Sequence, residues 1–259
     1  MVFNSIFFIF CFLPVFMLIY YLVPGKLRNL LLFLGSLIFY AWGEPVYVIL
    51  MLFSSIFNYY MGTELERLYY DDRKQKINLI FSIIINLAVL VFFKYYGFLL
   101  NTIGGIIGIH IPHPELSLPI GLSFYTFRNL SYLFDIYLSK VSAQRNFLTF
   151  AVYSTMFPYT SAGPIVRYTD IETQLKQRTI NISKFGIGAE LFVKGLAKKV
   201  LLADNLSVLY SSICGHPQMS VFTSWLGILA YTMQLYFDFS GYSDMAAFRD
   251  SSEWNTRPS

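Results

Sequence analysis

Long apolar stretches recur along this chain, and their lengths predict helices that cross a membrane. An α-helix needs about 20 apolar residues to traverse the hydrocarbon core of a bilayer, within a range of about 17–25. Three stretches have that length, namely Phe3–Val23, Ile77–Leu100 and Val221–Phe239. Each is predicted to be a span, and the first lacks the basic start and small-residue cleavage site of a secretory signal.

Two shorter apolar stretches, Leu30–Trp42 and Val46–Met61, are separated by Gly43-Glu44-Pro45. Glycine and proline close together end helices and form turns. The pattern therefore predicts two further spans joined by a tight hairpin, with helix tilt or local thinning of the bilayer absorbing the missing length.

Three further apolar stretches depart from this pattern. Pro119–Leu138 has the length of a span but carries Arg128 and Asp135. Phe147–Pro158 is too short to cross and is predicted to be re-entrant, which a bilayer tolerates only where protein surrounds the segment. Val200–Gly215 is a weak candidate for a span. Together the stretches predict an all-α integral membrane protein, a multi-span helical bundle with re-entrant segments.

The basic residues predict the orientation of the spans. Cytoplasmic loops of membrane proteins carry an excess of lysine and arginine. If the N-terminus lies outside, the inner segments contain 15 of the 19 basic residues, and the outer loops Gly43–Pro45, Asn101–Leu118 and Gly215–Ser220 contain none. We therefore expect a multi-pass plasma-membrane protein with an extracytoplasmic N-terminus.

The composition of the chain agrees with a membrane class. Charged residues make up 13% of the sequence against 56% hydrophobic residues, whereas soluble domains carry about 25% charged residues. Membrane lipid is therefore an expected partner. Nucleic acid is not, because no basic tract is interleaved with aromatic residues. Cys11 and Cys214 lack CxxC spacing, and they are predicted to be buried, unreactive thiols.

The segment Ser183–Asp204 combines apolar residues at helical spacing with four lysines. This pattern fits an amphipathic helix at the inner membrane interface, with lysines reaching phosphate headgroups. It fits equally well an ordinary helix in a cytosolic loop. Both alternatives stay open at this level.

Charged residues within or at the ends of apolar stretches are candidate functional positions. A charge at membrane depth costs about 2.5–3.5 kcal/mol on insertion scales, so such residues face a protein interior or a wet cavity. Arg128 and Asp135 either pair with each other or a neighbouring helix, or they line a substrate path. Asp238 and Asp244 form a dense polar patch with Ser240, and they either hold the bundle together through an internal ion pair or a helix-breaking turn, or line the same path. These five residues are the candidate substrate path.

Motifs of soluble enzymes are missing from the sequence. It contains no GxSxG elbow, Walker loop, HExxH motif or convincing dinucleotide fingerprint. His110 and His113 share one proline-rich loop and are weak candidates for metal ligands, while His216 stands alone. Neither a metal site nor a catalytic residue is predicted from these features.

Several segments, in order along the chain, resemble one protein family. They are "FYAWGEP" at Phe39–Pro45, "LPIGLSFYTF" at Leu118–Phe127, "AGPIVRY" at Ala162–Tyr168, "GLAKKVLLAD" at Gly195–Asp204 and "YFDFSGYSDMA" at Tyr236–Ala246. In these segments the chain resembles the alginate O-acetylation branch of the membrane-bound O-acyltransferase superfamily. The resemblance runs from Met1 to about Ala246.

The resemblance implies a partial fold of this family and the transfer of an acyl group, typically acetyl, to a polysaccharide hydroxyl. It implies an acyl donor such as acetyl-CoA, no bound cofactor, and an extracytoplasmic partner protein that completes transfer to the polysaccharide acceptor. The family's catalytic histidine lies in a Trp-His-Gly context beyond the last motif found here. None of Trp42, Trp225 and Trp254 precedes a histidine. No residue of this chain inherits that role, and we expect no acyl transfer by the chain alone.

After Ala246 the sequence departs from the family. Residues 247–259 are polar and aperiodic, as a frameshift, a premature stop or a gene fragment would produce, although a genuine short form is an alternative. We therefore expect an N-terminal portion of the family's membrane domain over residues 1–246, followed by a non-homologous tail. A different functional class, a non-enzymatic permease or scaffold, is disfavoured because the internal repeats common in transporters are not found.

Overall fold

All regular structure described by the computed structural model is helical. The description covers residues 5–108, 117–160, 166–176, 182–216 and 220–246. The α-helices are α1 Leu13–Leu22, α2 Arg28–Gly43, α3 Val48–Arg67, α4 Asp72–Ile107, α5 Leu122–Tyr137, α6 Phe147–Thr155, α7 Tyr168–Lys176, α8 Ile182–Ala197, α9 Asp204–Cys214 and α10 Val221–Ala246. The shorter elements are π-helices at Phe8–Phe12 and Lys198–Ala203 and 3-10 turns at Gly25–Leu27 and Phe157–Tyr159.

Two helices in the described residues, α3 and α4, are long and apolar enough to cross a membrane by length and composition. The helical run Phe8–Leu22 is apolar but shorter. At 1.5 Å per residue, the 36 residues of α4 extend about 54 Å, which exceeds the roughly 30 Å of a hydrocarbon core. The prediction of an all-α membrane protein is thereby supported, and the number of spans stays a prediction.

The chain forms two compact units. The terminal unit contains the described residues 5–18, 182–216 and 220–246, and the central unit contains residues 19–108, 117–160 and 166–176. In the terminal unit, α10 packs against α8, α9 and the π-helix that joins them. In the central unit, α3, α4, α6 and α7 all pack against α5.

Helix α5 is the buried centre of the central unit. Ten of its sixteen residues are buried, including Arg128 and Asp135. The segment was predicted as a span because of its apolar length, and its polar residues face protein. This agrees with the rule that charges in apolar segments turn toward a protein interior.

Side-chain amides connect the helices of the central unit. Asn58 of α3 and Asn86 of α4 exchange hydrogen bonds of 3.0 and 2.9 Å. Asn129 of α5 donates to Ser54 Oγ at 3.2 Å. Such bonds between helices contribute about 0.6 kcal/mol each in membrane proteins. Their main effect is therefore to fix the registry of α3, α4 and α5, and their contribution to the stability of the helix packing is small.

The start of α5 touches two other segments of the central unit. Gly121 has φ +73°, and a Cβ at this position would overlap the carbonyl oxygen of Thr160. Glu44 Oε2 accepts a hydrogen bond of 2.8 Å from the backbone N–H of Ile120. Only glycine permits both this backbone conformation and this close approach.

The nine-residue helix α6 is buried along most of its length. Residues 149–155 are all buried, and Asn146 caps the helix by accepting from the Thr149 N–H. A helix of this length extends about 14 Å and cannot cross a bilayer. Burial in protein is the condition that a re-entrant segment requires, and the re-entrant topology itself stays a prediction.

The prediction of buried cysteines is wrong. Cys11 and Cys214 are both free thiols on exposed parts of their helices. An apolar position in a membrane helix can face lipid as well as protein, so apolar surroundings in the sequence do not imply burial in the protein.

Candidate functional site

A continuous helical run from Ile182 to Cys214 positions half of the candidate site. It passes from α8 through the π-helix Lys198–Ala203 into α9, and the N–H of Asp204 donates to the carbonyl of Lys199 five residues earlier. Such π-helical segments widen a helix locally and are frequent at functional sites. The predicted amphipathic segment Ser183–Asp204 is thus helical where the structure describes it, and it packs against α10.

Two glycines bring this run into backbone contact with α10. A Cβ on Gly195 would lie 2.5 Å from the carbonyl oxygen of Gly241, and a Cβ on Gly241 would lie 2.7 Å from that of Gly195. Real Cβ atoms do not approach oxygen this closely, so both positions require glycine. Small residues at such crossings let membrane helices approach closely. Short polar side chains on α10 therefore come within reach of the lysines on the π-helix.

Lys198 joins two of the predicted site residues. Its ammonium lies 2.6 Å from Asp244 Oδ2 and donates a 3.1 Å hydrogen bond to Ser240 Oγ. The side chain of Lys198 is 38% exposed and that of Asp244 is 31% exposed. The pair is therefore open to the surroundings on one side.

Lys199 reaches the third predicted site residue. Its ammonium lies 2.8 Å from Asp238 Oδ1 and 3.0 Å from Asp204 Oδ1. Burial alone would lower the pKa of Lys199, but the hydrogen bonds that its ammonium donates to Asp238 and Asp204, together with the negative charges of these carboxylates, outweigh it and raise the pKa. Lys199 is therefore a charged donor, not a base, at physiological pH.

We call these six residues the lysine–carboxylate cluster, which consists of Lys198, Lys199, Asp204, Asp238, Ser240 and Asp244. Its two ammonium groups and three carboxylates leave one net negative charge. Because each lysine is paired with a carboxylate, its ammonium is a hydrogen-bond donor and not a free general base. The cluster can bind and orient a ligand.

The sequence reasoning missed three members of this cluster. Lys198 and Lys199 were interpreted as orientation signals and as lysines that reach phosphate headgroups, and Asp204 was not considered as a site residue. The signal that could have found them is the Lys-Lys pair within "GLAKKVLLAD", whose charge balances the carboxylates of "YFDFSGYSDMA". Which lysine meets which carboxylate depends on the helix crossing and was not available from the sequence.

Arg128 has a structural environment in the central unit. It is 2% exposed and donates to the carbonyl oxygens of Tyr153 at 3.0 Å, Ser154 at 3.4 Å and Tyr159. The guanidinium therefore caps the C-terminal end of α6, where carbonyls have no partner within the helix and the helix dipole favours a cation. These contacts are with a neighbouring helix, one of the partners considered from the sequence, and the assignment of Arg128 to a substrate path stays a prediction.

Asp135 lies two turns further along α5 and is 5% exposed. Its Oδ2 has no hydrogen-bond partner, and no ion pair joins it to Arg128 among the described residues. An ion pair between Arg128 and Asp135 was one of the arrangements considered from the sequence. The described structure does not show this pair.

The five residues of the predicted substrate path thus occupy two settings. Asp238, Ser240 and Asp244 meet in the lysine–carboxylate cluster, and Arg128 and Asp135 lie inside the central unit. His216 is exposed. His110, His113, Trp254 and the tail 247–259 lie outside the described residues. In the described ranges, no three histidine, cysteine, aspartate or glutamate side chains form a group that could hold a metal ion.

Comparison with curated proteins finds relatives along nearly the whole chain. The chain is 40% identical to a probable alginate O-acetylase AlgI of Pseudomonas aeruginosa and 39% identical to that of Azotobacter vinelandii. It is 32% identical to a peptidoglycan O-acetyltransferase of Helicobacter pylori. Each match covers 95% of this chain and 48%, 50% and 53% of the respective relative. No family model matches the chain.

The chain spans about half the length of these relatives. Their names agree with the family indicated by the motifs, and the described residues, whose regular structure is helical and includes two helices of membrane length, agree with an all-α membrane protein. The resemblance to the alginate O-acetylation branch of the membrane-bound O-acyltransferases is thereby confirmed over 95% of this chain.

Proposed function

We propose that this chain forms the acyl-donor part of a multi-span membrane O-acyltransferase that transfers acetyl groups to an exported polysaccharide. The observation that supports this most is the lysine–carboxylate cluster. It lies in two of the segments that carry the family resemblance, and the relatives are named as O-acetylases and O-acetyltransferases. Asp238, Ser240 and Asp244 are the residues assigned to the donor path. Acetyl-CoA is the donor that this chemistry suggests.

The proposal assigns the reacting base to a part of the complete enzyme outside these residues. A general base must come within hydrogen-bond reach of the hydroxyl proton that it removes. The lysines of the cluster are paired with carboxylates, and His216 lies on an exposed loop. Residues 1–246 therefore supply the donor path, and residues 247–259 are assigned no role in it.

The proposal also includes an arrangement in the plasma membrane. The N-terminus is placed outside, the basic segments inside, and an extracytoplasmic partner protein delivers the acetyl group to the polymer. Single cysteines at Tyr70 and in the segment 101–118, in a background without Cys11 and Cys214, test this arrangement. An impermeant thiol reagent added to intact cells is expected to label the cysteine in the segment 101–118 and to leave the cysteine at position 70 unlabelled. Labelling of both positions from the same side would contradict it.

A chimera tests the proposed activity. Residues 1–246 replace the aligned half of the Pseudomonas aeruginosa relative in cells that lack that relative, and acetate bound to the exported polymer is measured. We expect the chimera to restore acetylation and the chain of 259 residues by itself to restore none. A chimera that inserts into the membrane but restores no acetylation would overturn the proposed function.

Acetyl transfer by purified chain alone, from acetyl-CoA to a polysaccharide in detergent, would overturn the assignment of the base to the remainder of the enzyme. Solute uptake that depends on the chain, without acetylation, would favour the permease alternative.

A further inference from the structure

The lysine–carboxylate cluster contains two adjacent donor groups, one N–H and one O–H, for which the described residues provide no acceptor. The Lys198 ammonium has three N–H groups, of which Asp244 and Ser240 take two. Ser240 Oγ accepts one of these bonds, and its own O–H has no acceptor among the described residues. The third N–H of Lys198 is likewise without one there. The two donor atoms are 3.1 Å apart.

We propose that the Ser240 hydroxyl and the free N–H of Lys198 bind the carbonyl oxygen of the acyl group carried by the donor. This rests on the proposed function and names the part of the substrate that the cluster recognises. Two donors aimed at one carbonyl oxygen are a common arrangement for holding and polarising an acyl group. Asp244 acts as a positioning residue because its carboxylate holds the Lys198 ammonium beside Ser240.

An activated acyl donor such as acetyl-CoA carries a neutral carbonyl oxygen and charged phosphate oxygens, and the charge of the cluster favours one of the two. Three carboxylates and two ammonium groups leave a net negative charge, which repels phosphate oxygens and tolerates a neutral carbonyl. At separations of about 4 Å and an effective dielectric constant of about 20, one such repulsion amounts to several times the thermal energy. The cluster therefore binds the carbonyl oxygen of the acyl group and not a phosphate oxygen.

The local backbone explains why both lysines face α10. Consecutive residues of a regular α-helix point about 100° apart because there are 3.6 residues per turn. Lys198 and Lys199 begin the π-helical segment, and both reach carboxylates on α10. The π-helix and the Gly195–Gly241 contact are therefore the features that place the donor pair on the helix crossing.

Isotope-edited infrared spectroscopy of a small donor tests the proposal on the purified 259-residue chain in detergent. The probe is the acetyl thioester of N-acetylcysteamine with a 13C-labelled carbonyl. We expect the carbonyl stretch of the bound probe to fall relative to the probe in detergent alone. Ser240→Ala and Lys198→Met are expected to remove this shift and to weaken binding about 3- to 10-fold, the effect of losing one net hydrogen bond.

Two further variants serve as controls. Lys198→Arg keeps a charged donor and is expected to retain most of the shift. Lys194→Met removes an exposed lysine that pairs with Glu190 at 2.6 Å on the same helix, and it is expected to leave the shift unchanged. If Lys198→Met does not fold, Ser240→Ala decides, because it deletes a single half-buried oxygen.

The outcomes separate this inference from the proposed function. An active chimera with no carbonyl shift in the purified chain, or with a shift that survives Ser240→Ala, overturns the inference alone. A shift lost on Ser240→Ala supports it even where the chimera is inactive. Competition by inorganic phosphate that depends on Lys198 would overturn the choice of carbonyl over phosphate.

Discussion

Arg128 of the central unit and Lys198 of the terminal unit are both cations held by hydrogen bonds within their unit, yet their partners differ in kind. Arg128 is almost completely buried and donates to backbone carbonyls at the end of α6. Lys198 is 38% exposed and bonds to the side chains of Asp244 and Ser240. Backbone carbonyls are a fixed part of the fold, whereas an open pair of side chains retains donors for a ligand.

The difference shows how to separate structural from functional charges in an apolar chain. A charge at membrane depth is expected to face protein or a wet cavity. The rule alone does not say which of the two it faces. The chemical identity and the exposure of the partners do, and they assign Arg128 to the fold and Lys198 to the candidate site.

The largest expected effect tests the structural role of Arg128. Arg128→Met removes a charged donor from three carbonyls, and a hydrogen bond to a charged group is worth about 1.5–3 kcal/mol. We expect the free energy of unfolding to fall by about 3 kcal/mol or more, measured by thermal unfolding in detergent. Arg145→Met, which removes a 73% exposed arginine paired with Glu66, is the control and should change it by less than about 1 kcal/mol.

A smaller effect is expected where the two helices of the candidate site touch. Gly241→Ala forces a Cβ against the carbonyl of Gly195, and overpacking of this kind typically costs about 1–3 kcal/mol. Gly186→Ala on α8 has open space around the new Cβ and should stabilise the helix by about 0.5–1 kcal/mol. Equal unfolding temperatures for the two variants would contradict the close crossing.

The partly exposed pair of the cluster should be coupled more strongly than an exposed pair on the same helix. A double-mutant cycle with Lys198→Met and Asp244→Asn is expected to give a coupling energy of about 1 kcal/mol. The same cycle on Lys194 and Glu190, whose side chains are 62% and 64% exposed, should give a clearly smaller coupling energy, because solvent screens an exposed pair. Equal coupling in the two cycles would place Lys198 among ordinary surface lysines.

The smallest expected effect concerns Asp71, an exposed carboxylate outside the candidate site, and it is an effect on the pH dependence of stability. Hydrogen bonds from the Lys74 side chain and backbone N–H lower the pKa of Asp71, which caps the start of α4. A carboxyl whose folded-state pKa lies below its unfolded value contributes stability above the unfolded value. That contribution is lost as the pH falls through the folded value. Unfolding temperatures measured below about pH 4 should therefore fall less steeply for Asp71→Asn than for the unchanged chain.

Much of the fold could be predicted from local pattern. Apolar length and helix-ending residues predicted the break at Gly43-Glu44-Pro45, the long helix over Ile77–Leu100 and the helix over Val221–Phe239. The shortness and burial of α6 were also predictable, because a stretch of this length cannot cross a bilayer. The exposure of Cys11 and Cys214 was not, since apolar sequence does not distinguish a lipid-facing position from a protein-facing one.

The candidate site was only partly predictable, because a local pattern identifies unusual residues but not their partners. Asp238, Ser240 and Asp244 stood out because polar residues at the end of an apolar stretch are rare. Lys198 and Lys199 did not, because basic residues between spans have an ordinary explanation in membrane topology. Their role depends on which face of the π-helix meets α10.

The sequence by itself indicated an all-α membrane class and most of the helical segments, because the cost of placing polar groups in hydrocarbon acts on each segment separately. Its motifs indicated the resemblance to alginate O-acetylases. The tertiary structure alone decided that Arg128 caps α6, that Asp135 does not pair with it, and that two consecutive lysines meet the carboxylates of α10. Those outcomes depend on contacts between residues far apart in the chain. The close contact of Gly195 with Gly241 and the π-helix Lys198–Ala203 determine which residues meet α10. Neither feature can be predicted from the sequence pattern.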